Sequence, residues 1–396
     1  MEAADGGLRR AGSRTPVASA KGRQRVDQRV EDSLAKTALS LPEHATALAS
    51  ANQLMRFAQQ ESFFHLALRK QQRQRALREY FAGKCPRRIL VGANLGGFAY
   101  EREGFEVLQL AADHFAFVDE AERAARLRAA EDAIVIVNNN DIGRDGNGPG
   151  YADFYERSPH TIFIAWDWDN HHWLENSTQV AVNADLYVPA HHENLYLLTR
   201  YNASTVGPVY CATVQWSRRF LAGQLPALLA VPRSDAPLGM HVAYASFEFR
   251  NRVVATLNQR YASVGFSNHA FHGRGADDRL AEWAAHKAHW IIPVLNDVPI
   301  RLFDALVTGG IPLVPESMRH LPPVSAMPRD YVVFYTPEDV VNPEAVVARA
   351  NHLFDSGGAD KLVERHRYAL DLHHANERLE RMLRAAAAQY DLADFS

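Results

Sequence analysis

His286-Lys-Ala-His-Trp-Ile-Ile-Pro-Val-Leu-Asn-Asp-Val-Pro-Ile-Arg-Leu-Phe-Asp-Ala-Leu-Val-Thr-Gly-Gly-Ile-Pro-Leu-Val-Pro-Glu316 is the most informative run in the chain. It holds an apolar stretch from Trp290 to Leu295, a polar loop Asn296 to Pro299, a helical stretch Ile300 to Val307, the pair Gly309-Gly310, and a second apolar stretch Ile311 to Val314. That order reads as strand, loop, helix, glycine turn, strand, the repeating unit of a parallel sheet. The loop sits at the carboxyl end of a strand and opens a helix, where backbone N–H groups can hold a phosphate. Arg301, in the first turn, can add charge-assisted hydrogen bonds. Asp304 follows one turn later on the same face, a carboxylate suited to ribose hydroxyls as in dinucleotide sites. The plainer reading is a surface helix on which Asp304 pairs with Arg301, worth a few tenths of a kcal/mol.

Outward from this run the alternation continues. Met240 to Tyr244, Ser263 to Phe266 and Tyr331 to Phe334 read as further strands, and the chain is helical from about Pro337 to its end. Residues 221–238, rich in Pro, Ala and Leu without a clear period, read as a linker. Before it, Arg88 to Val91, Glu106 to Leu110, Ala133 to Val137, Thr161 to Ala165 and Ala184 to Val188 are short apolar runs, mostly continuous, as strands buried on both faces are. The expectation is an α/β fold of two Rossmann-like, doubly wound domains facing a cleft. The divisions expected are a disordered tail over 1–40, a helical extension over 41–84, an N-terminal α/β domain over 85–225, a C-terminal α/β domain over 238–345, and C-terminal helices over 346–396.

Composition narrows the function. The chain has 396 residues, 47% hydrophobic and 22% charged, with a net charge of −3. Such a chain can bury a sizeable core, and nothing in its overall charge draws it to nucleic acid. Two cysteines, Cys85 and Cys211, fit a reducing compartment and lack zinc-ligand spacing. No apolar run reaches 18 residues and no apolar signal core begins the sequence, so a cytoplasmic protein is expected. The Arg69-Lys-Gln-Gln-Arg-Gln-Arg75 stretch reads as a solvated helix face. The helical stretch 41–83 is a candidate surface for an acceptor, a second subunit or the membrane surface.

Polar groups cluster at strand ends. Gly92, Gly96 and Gly97 follow the first strand in a Gly-x3-Gly-Gly spacing that differs from the dinucleotide fingerprint. Asp167-Trp-Asp-Asn-His-His-Trp173 follows another, and Asp167, Asp169 or His171 can serve as general base. Pro189 to Asn194 follows a third; its adjacent histidines point about 100° apart on a helix, which suits lining or capping better than one metal ion. His272-Gly-Arg-Gly275 offers Arg274 to a phosphate.

Leu295-Asn296, Arg301, Phe303-Asp-Ala-Leu306, Gly309 and Ile311 to Val314 resemble the donor-binding stretch of GT-B glycosyltransferases, and within them the CgeB-like, spore-maturation-protein-like group. Thr161 to Trp173, Asn183 to Pro189, Asn202 to Gln215 and Phe247 to Arg252 extend the likeness over about 88–345. It implies a glycosyltransferase, hexosyl or related, that takes a nucleotide-diphosphate sugar as co-substrate and uses no metal or other cofactor. The acceptor, whether carbohydrate, lipid-linked or protein, is not implied. By resemblance the donor is held by Asp304 on the ribose, by Arg250, Asn251, Arg274, Arg301 and Lys287 around the phosphates, and by Asn296, Gly309, Gly96 and Gly97 nearby. Asn296 stands where retaining enzymes carry a first glutamate, a departure that weakens the standard retaining mechanism. Three rivals remain. One is a metal-dependent GT-A-like enzyme using Asp167 and Asp169, one is a sugar-nucleotide epimerase, and one is a non-catalytic sugar- or partner-binding protein.

Overall fold

The computed structural model describes residues 60–96, 99–143, 147–169, 176–244, 246–267, 275–295 and 297–393. The tail expected over 1–40 and the start of the helical extension lie outside them. Residues 65–396 form one unit, to which everything below refers.

Helix α1 (Gln60–Phe81) leads into β1 (Arg88–Val91), β2 (Glu106–Gln109), α2 (Glu120–Ala129), β3 (Ala133–Val137), the short α3 (Asn139–Ile142), α4 (Asn147–Glu156), β4 (Ile162–Asp167), α5 (Thr178–Val182), β5 (Leu186–Pro189) and α6 (His192–Leu198). The five strands form one parallel sheet in the order β2-β1-β3-β4-β5. Every residue of β3 and β4 is buried, which explains why β3, and β4 as far as Trp166, read as unbroken apolar runs. Ile162, Ile164 and Trp166 face one core and Phe163 and Ala165 the other, as the two-residue period of a strand requires.

Helix α7 (Arg218–Ala230) carries the chain across, capped by Ser217, whose hydroxyl accepts from the Phe220 N–H at 3.2 Å. The expected linker at 221–238 does join the halves, but as far as Ala230 it is helical rather than irregular. Leu221 and Leu228 are buried at helical spacing, and Gly223 and Pro226 had hidden that period.

The second half holds β6 (Gly239–His241), α8 (Glu248–Asn258), β7 (Val264–Phe266), α9 (Ala276–Ala284), β8 (Ala288–Trp290), α10 (Ile300–Val307), β9 (Ile311–Pro315) and β10 (Val333–Tyr335). Strands β6 and β7 pair, and β8, β9 and β10 pair, all in parallel. Leu238 joins the two groups: its N–H donates to Ala288 at 2.9 Å and its carbonyl accepts from Trp290 at 2.7 Å. The resulting order, β7-β6-β8-β9-β10, repeats that of the first half. Both halves therefore place a topological switch point beside their first strand, where open α/β sheets bind ligands at the strands' carboxyl ends.

Helices α11 (Pro337–Val341), α12 (Glu344–Leu372) and α13 (Ala375–Tyr390) close the chain. Helix α12 breaks at Gly358, which has φ +57°. Helix α13 returns to the first half, where the Tyr390 hydroxyl donates to the Asp185 carbonyl at 3.1 Å and Ala393 N–H to the Lys84 carbonyl at 3.0 Å. The expected fold class, two α/β halves with parallel sheets facing a cleft, is the one found. No helix among the described residues is long and apolar enough to cross a membrane.

The basic stretch of α1 differs from its expected solvated face. Lys70, Arg73, Leu77 and Phe81, spaced by three and four residues, turn inward together. The Arg73 guanidinium holds both carboxylate oxygens of Asp185, at 2.6 and 3.1 Å, and the Ser158 and Thr161 carbonyls at 3.0 and 2.9 Å. Lys70 donates to the Ala184 carbonyl at 2.6 Å, and burial pulls its ammonium down to about 7.

Candidate functional site

A cavity of about 540 Å³ opens where the carboxyl ends of the two sheets meet. The first half contributes Asn94 after β1, Asn140 after β3, Trp168 and Asp169 after β4, and His191 after β5. The second contributes Val242 and Tyr244 after β6, residues 292–294 and 297–299 after β8, and Ile300 and Arg301 from the start of α10. Both switch points thus face one space.

Two guanidiniums supply its positive charge. Arg250, in the first turn of α8, is only 6% exposed; it donates to the Ile292 carbonyl at 3.1 Å and the Val242 carbonyl at 2.6 Å, and lies 3.3 Å from His241 Nδ1. These partners are uncharged, since burial and the two arginines hold His241 well below its usual range. Burial, and then Arg301, lower Arg250 to about 10. Burial likewise lowers Arg301. Two cations that disfavour each other in a buried wall, beside a helix N-terminus, form a place for an anion.

The acidic side is divided. Asp169 lines the cavity, with Asn140 Nδ2 on its Oδ2. Asp167 does not. As the last residue of β4 it falls on the opposite strand face from Trp166 and Trp168, is fully buried, and accepts from Ser177 at 2.9 Å, Tyr187 at 2.7 Å and Asn194 at 2.9 Å. Burial raises it to about 6, against the pull of those hydrogen bonds. Asp167 is therefore removed from the candidate bases, and the two carboxylates are not placed as a shared metal pair. Among the described residues no group of three or more His, Cys, Asp or Glu is placed to hold a metal ion. His191, at the start of α6, sets its ring against the Trp168 carbonyl, and its Nε2 lies 3.5 Å from the Asp297 carboxylate of the other half.

The expected donor residues separate. Arg250 and Arg301 reach the cavity. Asp304 does not: it is fully buried, with Oδ1 accepting from Thr213 at 2.5 Å and Oδ2 from Gln215 at 2.7 Å. Burial raises its carboxyl to about 7, opposed by those two bonds and by Arg301 and Arg279. The ribose contact expected of it is thus occupied by the segment that enters α7.

Lys287 stands before β8, hence at the sheet edge remote from the cavity, in ion pairs of 2.6 and 2.8 Å with Asp235 and Asp355 that raise its ammonium. Gly309 ends α10 at φ +78°, where a Cβ would meet Leu362 at 2.4 Å; its carbonyl accepts from Arg365 at 2.9 Å. Its need for glycine comes from packing rather than from a ligand. Asn251 donates to the Tyr244 carbonyl at 2.8 Å and so holds a cavity loop from behind. Gly96, at φ +63°, packs against the Val214 carbonyl, 2.7 Å from where a Cβ would lie. Gly97, His171, Arg274 and Asn296 lie outside the described residues.

Asn94, Asn140, Gln215, Tyr244 and Asp297 were not singled out from the sequence as site residues, whereas His191 was read as lining or capping. Three of these five, Asn94, Asn140 and Tyr244, lie within a few residues of a strand's carboxyl end, the signal that could have found them. Leu295, two residues before Asp297, has φ +52° without being glycine, the one strained backbone position in the cavity loops as described.

No family model matches the chain, and no curated protein matches it. Among solved structures it is similar to the catalytic domain of starch synthase IV from Arabidopsis thaliana bound to ADP and acarbose, with 11% identity over 73% of this chain and 83% of that one and a TM-score of 0.39. It is also similar to sucrose-phosphate synthase from Thermosynechococcus elongatus, with 12% identity over 77% and 99% and a TM-score of 0.44. A third likeness is to S. aureus MnaA with UDP, with 12% identity over 77% and 97% and a TM-score of 0.41.

Proposed function

We propose that this chain is a glycosyltransferase that takes its sugar from a nucleoside-diphosphate sugar. One observation carries the reading: Arg250, Arg301 and the N-terminus of α10 converge on a cavity whose opposite wall presents Asp169, His191 and Trp168. The diphosphate lies on the cationic wall, where fixed positive groups stabilise the charge that develops on the leaving nucleotide, usually the largest catalytic contribution. The sugar then faces the first half. Asp169 takes the proton of the acceptor hydroxyl, and the Trp168 ring borders the sugar. The CgeB-like group is the subfamily that the 295–314 stretch suggests.

The test is a thermal-shift panel of UDP, GDP, dTDP, ADP and CMP on the full chain, followed by Arg250→Ala and Arg301→Ala. One nucleoside diphosphate is expected to stabilise the protein, by about 2.7 kcal/mol at a hundred times its Kd. Both variants should lose that shift. An unchanged melting temperature with every nucleotide would sink the reading.

A further inference from the structure

Gln215 lies in the segment that enters α7, lines the cavity, and is only 6% exposed. Its Nε2 donates to Asp304 Oδ2 at 2.7 Å, and its backbone carbonyl accepts from Arg279 at 3.2 Å. Asp304 is itself fixed on its other oxygen by the Thr213 hydroxyl at 2.5 Å. Asp304 Oδ2 accepts from the amide nitrogen, which selects one of the two orientations of the amide and turns Oε1 away from Asp304. The Oε1 left over is buried and has no hydrogen-bond partner among the described residues. Nor has the Trp168 Nε1, a buried donor of the same cavity. Buried polar atoms are almost always paired, and an unpaired acceptor and an unpaired donor lining one cavity call for a ligand that supplies both partners.

We propose that Gln215 reads a hydroxyl of the bound nucleotide sugar through Oε1, and that Asp304 is a positioning residue that holds the amide oxygen available for it. The inference rests on the nucleotide-sugar reading above and adds to it the residue that recognises a hydroxyl. The hydroxyl comes from the ribose or from the sugar, and the two sources separate by experiment.

Affinities of the full chain are measured by calorimetry for UDP, ADP and GDP and for their glucose conjugates. For whichever base binds, Gln215→Leu is expected to weaken the ligand about tenfold or more, the loss that follows a missing buried hydrogen bond. Loss with the diphosphate and its conjugate alike identifies a ribose hydroxyl; loss with the conjugate alone identifies a sugar hydroxyl. Asp304→Asn frees the amide to turn over and weakens the same ligands with Gln215 intact. The double variant Gln215→Glu with Asp304→Asn reverses the hydrogen bond, keeps an acceptor toward the cavity, and should recover affinity. A purely structural role would give no such recovery.

Wild-type protein that binds no nucleotide of either form overturns both this inference and the reading beneath it. Wild-type binding that Gln215→Leu leaves unchanged overturns this inference alone. Loss in Gln215→Leu without recovery in the double variant overturns the positioning role of Asp304. Should Gln215→Leu not fold, equal affinities of Asp304→Asn and the double variant overturn the inference.

Discussion

The two halves share a strand order and face one cavity, yet both arginines of its described lining come from the second half. At the carboxyl ends of the first sheet stand carboxylates and amides, Asp141, Asp167 and Asp169 with Asn94 and Asn140. Beyond the same ends of the second stand Arg250 and Arg301, with Asp297 as the carboxylate of that half in the lining. In the first half most of that polarity is turned on the protein itself. Asp141 accepts from the backbone and side-chain nitrogens of Asn94, both at 2.9 Å, and from the Asn138 N–H at 2.9 Å. In the second half Arg250 uses backbone carbonyls as a frame and keeps its charge for something else. Topology fixes where a ligand goes in such folds; the residues at the strand ends fix which part of it each half holds.

The sharpest break of this contrast is kinetic. Asp169→Asn should cut turnover about 10²–10⁴-fold while leaving nucleotide affinity nearly unchanged, as expected for a proton acceptor. Arg301→Ala should weaken the nucleotide itself. If calorimetry shows equal losses of nucleotide binding in both variants, the division of labour between the halves is wrong.

Next in size is the pH response of the buried carboxylate at the crossover. The Asp304 carboxyl is raised from 3.8 to about 7 by burial, so the folded state binds its proton more tightly than the unfolded chain does. Its contribution is fully present below about pH 4 and is lost as pH rises through 7. Relative to Asp304→Asn, which does not titrate, the wild type should lose most of about 4 kcal/mol over that range. Urea unfolding at pH 5 and pH 8 checks this, and a stability difference that does not change with pH would refute it.

Smaller again is a packing test in the first half. A Cβ on Gly92 would lie 1.8 Å from Asp141 Oδ2, so Gly92→Ala should cost about 3 kcal/mol by displacing that carboxylate from the Asn94 loop. Denaturant titration should show the loss, and a cost below that of an ordinary surface substitution would mean the carboxylate is free to move. The smallest effect concerns Lys70, whose ammonium burial lowers to about 7. Lys70→Met exchanges a buried amine for a chain of similar length, so stability at pH 7 should change by no more than about 1 kcal/mol. A larger loss would show that the bond to the Ala184 carbonyl matters more than the burial of the amine.

Sequence made the alternation of strands and helices legible, because parallel strands buried on both faces read as continuous apolar runs. It also made Arg301 and Asp169 legible as cavity residues, because each lies beyond a strand's carboxyl end, and Arg250 through the likeness of the 247–252 loop. Lys287 and Gly309 were misplaced for the converse reason: one precedes a strand and the other ends a helix, which puts both at the far edge of the sheet. Strand direction alone argues against them. Asp304 is a different case. Its position on α10 was correct, but nothing local announces that Thr213 and Gln215, some 90 positions earlier, take both its oxygens. Contacts between distant segments leave no period and no spacing to read. Gln215 itself, an isolated amide in an irregular segment, carries no signal at all until the cavity is seen around it.

The return of α13 to the first half bears on the birth of the molecule. Met382, Leu383, Ala386 and Tyr390 are wholly shielded from water, and Tyr390 caps the β5 strand through Asp185. A nascent chain that has already released β1 to β5 from the ribosome still lacks these side chains, so its opening half waits with an uncovered flank while the later half is made. Translation order and completion order are therefore inverted here: strands made early are sealed by a helix made well after them.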